Sequence, residues 1–162
     1  MGLDMYLSAE EYIGGWGHSG PEAQERYRAA LGVLGVKPDM ITPGSPHIDV
    51  SYSIAYWRKA NAIHAWFVRE VQDGKDECQK SYVTKEQLGL LRSLAQQALG
   101  LYDAGQLDAA AALLPPQSGF FFGSTAVDED FRADLASTVA QLDKVLTDWA
   151  DRSVDFYYRS SW

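Results

Sequence analysis

Cysteine and histidine are scarce in this sequence, and their scarcity excludes several kinds of site. Among the 162 residues Cys78 is the only cysteine, which excludes an intramolecular disulfide and a thiol-rich metal site. The three histidines, His18, His47 and His64, share no spacing that is typical of metal ligands. We therefore expect a protein without a metal site and without a cofactor.

Recognised catalytic motifs are missing as well. The sequence contains no G-x-S-x-G, no P-loop, no H-E-x-x-H and no dinucleotide-binding fingerprint. The glycine-rich run at 14–17 lacks the spacing and the lysine of a phosphate-binding loop. Three consecutive acids at 128–130 are more typical of a helix start than of a cation site. We assign no catalytic residue from the sequence.

Basic residues are outnumbered by acidic ones. Lysine and arginine total 14 against 22 aspartates and glutamates, which gives a net charge of −8. Such a chain is not expected to bind nucleic acid stably or to associate with an anionic membrane. The charge is uneven, because residues 50–69 contain no acid and include the pair Arg58 and Lys59. This distribution predicts a locally positive pocket for a small phosphate-bearing ligand.

Features of membrane and exported proteins are also absent. The uncharged stretch at 109–127 contains two prolines and two glycines, which would break a helix in a bilayer. The N-terminal Met-Gly-Leu-Asp has neither the basic nor the apolar region of a signal peptide. We therefore expect a cytoplasmic protein with no membrane association. A length of 162 residues fits one domain, 1–162.

Apolar periodicity predicts an α+β fold. Residues 3–7 and 154–158 alternate between apolar and polar side chains, which is typical of half-buried strands. Each of these strands needs a partner, so we expect the N- and C-terminal strands to pair. Helical spacing of apolar residues predicts helices at 21–34, 84–101, 107–113 and 128–149, and a further helix that contains 51–67 and ends near Gly74. The expected architecture is several helices packed on a small, mainly antiparallel sheet.

The predicted helix at 51–67 carries two stripes of buried-type side chains, whereas a surface helix needs only one. An advance of about 100° per residue places Trp57, Asn61 and His64 on the second stripe, with Arg58 at its edge. The Trp57 ring could stack on a planar ligand, Asn61 and His64 could form hydrogen bonds with it, and Arg58 could bind an anion. The alternative is a helix between two layers, with Trp57 in the core and His64 as a packing residue.

A second candidate region is the segment Gln-Ser-Gly-Phe-Phe-Phe-Gly-Ser-Thr at 117–125. Three phenylalanines between glycines can place a rigid apolar wall beside exposed backbone N–H groups, just ahead of a predicted helix. The alternative is a hydrophobic plug that packs the core. The ligand-binding residues predicted in this segment are Ser118, Gly119, Phe121, Gly123 and Ser124.

Three blocks of the sequence together carry a resemblance. They are Met-Gly-Leu-Asp-Met-Tyr-Leu at 1–7, Ala-Tyr-Trp-Arg-Lys-Ala-Asn-Ala-Ile-His-Ala-Trp-Phe at 55–67, and the segment at 117–125. With Val-Gln-Asp-Gly at 71–74 and the ending Tyr-Arg-Ser-Ser-Trp, they resemble a family of small proteins carried by phages and prophages.

Members of this family are often labelled phosphoglycerate kinase, a label that does not fit so short a chain without a nucleotide-phosphate loop. The family typically continues with an Asp-Glu-Trp-Tyr-Tyr-like run, whereas this chain has Asp-Glu-Asp-Phe-Arg at 128–132.

The resemblance implies an accessory protein that counters defence in the bacterial host. The leading hypothesis is a binding protein that sequesters a host nucleotide immune signal of the cyclic or ADP-ribose type. Aromatic rings would stack on the base, Arg58 would meet phosphates, and Asn61 and His64 would hydrogen-bond ribose hydroxyls. The alternatives are an enzyme with His64 as acid–base and Arg58 stabilising charge, and a module that contacts a host protein. A homo-oligomer is left open.

Overall fold

A computed structural model describes residues 2–162, and four strands and five α-helices lie within them. The strands are β1 (Asp4–Gly14), β2 (His47–Arg58), β3 (Ser81–Val83) and β4 (Asp155–Ser161). The helices are α1 (Pro21–Leu34), α2 (Asn61–Glu70), α3 (Lys85–Asp103), α4 (Leu107–Leu113) and α5 (Glu129–Asp148). A 3₁₀ turn occupies Pro38–Met40.

The strands form one antiparallel sheet in the order β2-β1-β4-β3. The α+β prediction is confirmed, and so is the pairing of the two terminal strands, because β1 and β4 are neighbours. At the edge of the sheet, Tyr82 of β3 lies opposite Tyr157 of β4.

By packing, the chain divides into two compact units, and the larger comprises the chain up to Ala9 together with Ser53–Trp162. Its core lies between one sheet face and the helices, as the stacked rings of Phe67 and Tyr158 show, with centroids 3.9 Å apart. The largest fully buried side chains of this unit come from both layers: Leu3, Met5, Leu7, Ile63, Trp66, Phe67, Leu88, Leu91, Leu114, Leu135, Leu142 and Tyr158.

The smaller unit, Glu10–Tyr52, contains the end of β1, all of α1 and the start of β2. Its own core is built on Ile13, Tyr27 and Leu31. The predicted helix at 21–34 is confirmed: α1 starts at a proline and ends where Gly35 adopts a left-handed φ of 67°. The expectation of a single domain, 1–162, stays a prediction.

Three of the remaining helix predictions agree with the structure. Those at 84–101, 107–113 and 128–149 are confirmed by α3, α4 and α5. A capping box starts α3, because Thr84 Oγ1 accepts from the Gln87 N–H at 3.1 Å while Gln87 Oε1 accepts from the Thr84 N–H at 3.0 Å. No helix in the described part of the chain is long and apolar enough to cross a bilayer.

The predicted helix at 51–67 is wrong in its first half. The chain up to Arg58 belongs to β2, and α2 begins only at Asn61. Alternate side chains of β2 face opposite sides, so that Trp57 is buried whereas Tyr56 and Arg58 are exposed. Aromatic and β-branched residues favour an extended chain, and pairing with β1 supplies backbone hydrogen bonds that local periodicity does not reveal.

Candidate functional site

A tight turn between β2 and α2 places two cations beside the start of the helix. Lys59 has a left-handed φ of 59°, and its N–H donates to the Leu3 carbonyl at 2.8 Å. Ala60 (φ −74°, ψ 69°) forms an inverse γ-turn, in which the Asn61 N–H donates to the Lys59 carbonyl at 2.8 Å. The chain thus changes from strand to helix within two residues. We call this turn, residues 58–61, the β2–α2 corner.

Asn61 attaches the loop at 114–128 to this corner. Its Nδ2 donates to the carbonyls of Ser124 at 2.7 Å and Phe122 at 3.2 Å, and its Oδ1 accepts from the Gln117 N–H at 3.2 Å. The residue is 5% exposed. Both N–H groups and the oxygen of the amide are therefore used by the protein, so Asn61 positions the loop and has no N–H to spare for a ligand.

Two glycines let the loop fold closely. Gly123 has a φ of 91°, and a Cβ at this position would lie 3.3 Å from Lys59 Cβ. A Cβ at Gly119 would lie 2.4 Å from the ring of Phe122, which is closer than any real contact allows. Each position thus requires glycine, Gly123 for its backbone conformation and Gly119 for the ring that packs on it.

The three phenylalanines of the loop have different environments. Phe122 is 4% exposed and meets the His64 ring edge-on, with centroids 5.1 Å apart. Phe120 and Phe121 form an edge-to-face pair at 4.3 Å and are 81% and 44% exposed. The core plug therefore applies to Phe122, whereas Phe120 and Phe121 are exposed, and none of the three phenylalanines lines the cavity described below.

A cavity of about 400 Å³ lies between the β2–α2 corner, the loop and the first turns of α5. Arg58 and Lys59 line it from the corner, and Asp128, Asp130 and Asp134 line it from α5 and its N-cap. The rest of the lining comes from neutral loop and helix residues. Its volume is in the range of small-molecule sites, about 300–1,000 Å³.

The two cations of the cavity are available to a ligand. Both are exposed, and within residues 2–162 neither the Arg58 nor the Lys59 side chain forms an ion pair or a hydrogen bond. A guanidinium and an ammonium on adjacent residues can bind an anion by charge-assisted hydrogen bonds. The corner therefore carries the side chains of the cavity that are suited to an anion.

One carboxyl of the cavity has a displaced pKa. Burial, followed by the negative charges of Asp130 and Asp128, raises the pKa of Asp134 from 3.8 to about 7. Near neutral pH this carboxyl is divided between its protonated and ionised forms. It can therefore donate or accept a hydrogen bond in the cavity.

The start of α5 offers an anion no free N–H at Asp130 or Phe131. The Asp128 side chain is the N-cap, and its Oδ1 accepts from the N–H groups of Asp130 at 3.1 Å and Phe131 at 3.3 Å. These backbone donors are therefore occupied by a carboxylate of the protein itself. The cations of the corner remain the groups that suit an anion.

Trp57 does not line the cavity. It faces the core side of the sheet, is 3% exposed, and its Nε1–H donates to Thr138 Oγ1 at 3.0 Å. The predicted shared helix face of Trp57, Asn61 and His64 is wrong, because Trp57 belongs to a strand. Strand alternation sends Trp57 and Arg58 to opposite sides.

His64 lies in the core with both ring nitrogens occupied. Nδ1 is 2.7 Å from Tyr158 Oη, Nε2 is 2.9 Å from Asp76 Oδ2, and the residue has no exposed surface. Burial, then the charge of Asp76, raises the pKa of Tyr158 well above its usual value, so the phenol keeps its proton. Because the Asp76 carboxylate can only accept, Nε2 carries a hydrogen and Nδ1 is the acceptor for the Tyr158 hydroxyl. Asp76 Oδ1 also accepts from Trp162 Nε1 at 3.1 Å. In this position His64 joins α2 to the last strand.

The structure thus brings only part of the predicted site together. The predicted residues that line the cavity are Arg58, Asn61, Gly123 and Ser124; those that do not are Trp57, His64, Ser118, Gly119 and Phe121. Sequence reasoning missed Asp134 altogether. Its one local signal was its spacing of four residues from Asp130, which places the two on the same helix face.

Comparison with known proteins yields no relative: no family model, curated protein or solved structure matches this chain. Across residues 2–162, no three His, Cys, Asp or Glu side chains are arranged to hold a metal ion. The fold and the cavity define an acidic α+β protein with a small-molecule-sized cavity of mixed charge.

Proposed function

We propose that this protein binds a phosphate-bearing nucleotide in the cavity beside Arg58 and does not convert it, and so sequesters a host immune signal of the cyclic or ADP-ribose type. The observation that carries the proposal is that Arg58 and Lys59, whose side chains form no ion pair or hydrogen bond within residues 2–162, line a cavity of about 400 Å³. The host setting is taken from the resemblance of its sequence blocks to phage and prophage proteins.

The corner suits a phosphate in particular. The planar fork of Arg58 can donate two parallel hydrogen bonds to phosphate oxygens, and Lys59 adds a point charge next to it. The phosphate would lie on the side away from α5, because the carboxylates of that helix repel it. The cavity therefore defines a direction for the ligand, with its anionic end at the corner.

The acidic side of the cavity suits the rest of a nucleotide. Ribose hydroxyls are hydrogen-bond donors, and the carboxylates of Asp130 and Asp134 are acceptors. A ligand with an anionic end and a donor-rich body matches both sides at once. A simple dianion would meet the corner but leave the carboxylates without partners.

Calorimetric titration with ADP-ribose and with cyclic mono- and dinucleotides tests this function. Arg58→Ala should weaken binding by about 10- to 100-fold, because about 1.4 kcal/mol corresponds to tenfold. Arg58→Lys should restore part of the affinity, since a point charge does not reproduce the planar fork. Arg28→Ala, an exposed arginine of the smaller unit, is the control and should bind as wild type does.

Recovery of the ligand separates binding from turnover. Heating the complex should release the bound nucleotide unchanged, as judged by chromatography and mass spectrometry. Binding of none of these nucleotides by the wild type would refute the proposal, and so would conversion of the recovered ligand.

A second candidate function is an enzyme that modifies such a nucleotide, and Asp134 is the observation that favours it. A cavity carboxyl with a pKa of about 7 is suited to acid–base catalysis at neutral pH. His64 is a poor candidate for that role, because both of its nitrogens are occupied in the core. This enzyme would form product with the wild type and lose that activity in Asp134→Asn while still binding the nucleotide.

A third candidate is a module that contacts a host protein, favoured by the exposed pair Phe120 and Phe121. Replacing both with serine separates this function from sequestration. Loss of anti-defence activity in cells with unchanged nucleotide binding in calorimetry would support the contact. Retained activity would contradict it.

A further inference from the structure

The sheet face opposite the core of the larger unit carries exposed tyrosines. Tyr6 of β1 and Tyr56 of β2 are 41% and 43% exposed, and their rings lie 5.5 Å apart at an angle of 45°. Cross-strand aromatic pairs stabilise sheets, which accounts for their contact with each other. It does not account for the ring surface that both leave in water.

The Tyr6–Tyr56 pair lies next to the cavity through Arg58. Tyr56 and Arg58 are two residues apart on β2, so their side chains project from the same side of the sheet, about 7 Å apart along the strand. Arg58 also lines the cavity. An aromatic surface and the anion-binding corner are therefore continuous.

Tyr56 is held in place from two sides. Its hydroxyl donates to Asp4 Oδ1, and its backbone N–H donates to Gln141 Oε1 of α5 at 2.8 Å. The hydrogen bond to Asp4 is the main cause of a raised pKa of Tyr56, and the charge of Arg58 acts on it in the opposite direction. The ring is ordered before any ligand binds, so stacking on it costs little conformational entropy.

We propose that Tyr56, supported by Tyr6, is the base-stacking subsite of the nucleotide whose phosphate binds at Arg58. This subsite rests on the function proposed above. A nucleobase is planar and uncharged and can stack on an exposed tyrosine ring, and the ribose would span the distance of about 7 Å between Tyr56 and Arg58. The subsite provides the stacking that the sequence assigned to Trp57.

Two probes that differ only by the base test the subsite. AMP is ribose 5-phosphate with adenine attached, and both are titrated into the full chain by calorimetry. The wild type should bind AMP more tightly than ribose 5-phosphate. Tyr56→Ala should weaken AMP binding by about tenfold, which is within the range measured for loss of one base stack, and change ribose 5-phosphate binding by less than about twofold.

Three further variants make the test specific. Tyr56→Phe keeps the ring and should retain most of the AMP affinity. Tyr82→Ala removes an exposed tyrosine of β3 at the far edge of the sheet and should bind both probes as wild type does. Tyr56→Leu keeps an apolar side chain without a ring and replaces Tyr56→Ala if that variant has a lowered melting temperature.

The outcomes separate the subsite from the function on which it rests. Unchanged AMP affinity in both Tyr56→Ala and Tyr56→Leu, or equal wild-type affinity for the two probes, would overturn the subsite and leave phosphate binding at Arg58 intact. Wild type that binds neither AMP nor ribose 5-phosphate would also overturn the subsite. The function itself is refuted if ADP-ribose and the cyclic nucleotides are unbound as well, or if the bound ligand is recovered converted.

Discussion

Replacing Asp134 with asparagine should change how stability depends on pH. Burial and the charges of Asp130 and Asp128 raise the pKa of this carboxyl from 3.8 to about 7 in the folded protein. The folded state therefore holds the proton more tightly than the unfolded chain does. The stability that this provides is complete below about pH 4 and is lost as the pH rises through about 7.

The magnitude follows from the same pKa values. A rise from 3.8 to about 7, at 1.36 kcal/mol per pH unit, sets an upper bound of about 4 kcal/mol. Asp134 is only half-buried, so water screens its charge and about 1–2 kcal/mol is a more realistic value. Asparagine has nearly the same shape and stays neutral. We expect Asp134→Asn to be more stable than wild type by about 1–2 kcal/mol at pH 8 and equally stable at pH 4.

Urea denaturation followed by tryptophan fluorescence at pH 4, 6 and 8 measures this difference. Asp151→Asn, an exposed acid beyond α5, is the matched control and should differ little from wild type at any pH. Asp130→Asn removes one of the charges that raise the pKa of Asp134. The pH at which stability is lost should therefore fall only slightly, because burial is the larger cause of the raised pKa.

Two results would refute this reasoning. A stability difference between wild type and Asp134→Asn that is the same at pH 4 and pH 8 would mean that ionisation of Asp134 does not matter. Lower stability of Asp134→Asn at pH 8 would mean that the ionised carboxylate makes a favourable contact in the folded protein, so that its pKa is not raised.

Three further substitutions test contacts and backbone conformation in the larger unit, each by urea denaturation at pH 7. Asn61→Ala should destabilise by about 2–3 kcal/mol, because loop backbone groups lose their partners, and faster proteolysis within 114–128 should accompany it. Gly123→Ala should destabilise by about 1–2 kcal/mol owing to its φ of 91°; Gly44→Ala, with no atom within 4 Å of the added Cβ, should be nearly neutral. His64→Phe should destabilise by about 2–3 kcal/mol, because the buried hydroxyl of Tyr158 loses its acceptor. A neutral effect of Asn61→Ala or His64→Phe would show that the corresponding hydrogen bonds contribute nothing net.

Several elements could be predicted because their signals are local. The capping box at Thr84 marks the start of α3, and alternation at 3–7 and 154–158 marks the terminal strands. The pairing of those strands followed from the need of each half-buried strand for a partner. For such elements a short window of sequence contains the physical cause of the structure.

The helix predicted at 51–67 is wrong in its first half because two periods of apolar residues overlap there. Apolar residues at helical spacing coexist with strand alternation, and only pairing with β1 decides for a strand up to Arg58. The consequence for the site was large. On a strand Trp57 and Arg58 face opposite sides, whereas on a helix they would be neighbours on one surface.

By itself, the sequence determined the α+β class, the terminal strand pair and the local excess of positive charge at Arg58 and Lys59. These depend on periodicity, on composition and on residue type. Tertiary structure alone decided that α5 would bring Asp134 to the cavity that Arg58 and Lys59 line. It also decided that the amide of Asn61 would be hydrogen-bonded to the loop and that His64 would be buried in the core. Each of these depends on contacts between residues that are distant in sequence, and no local pattern contains that information.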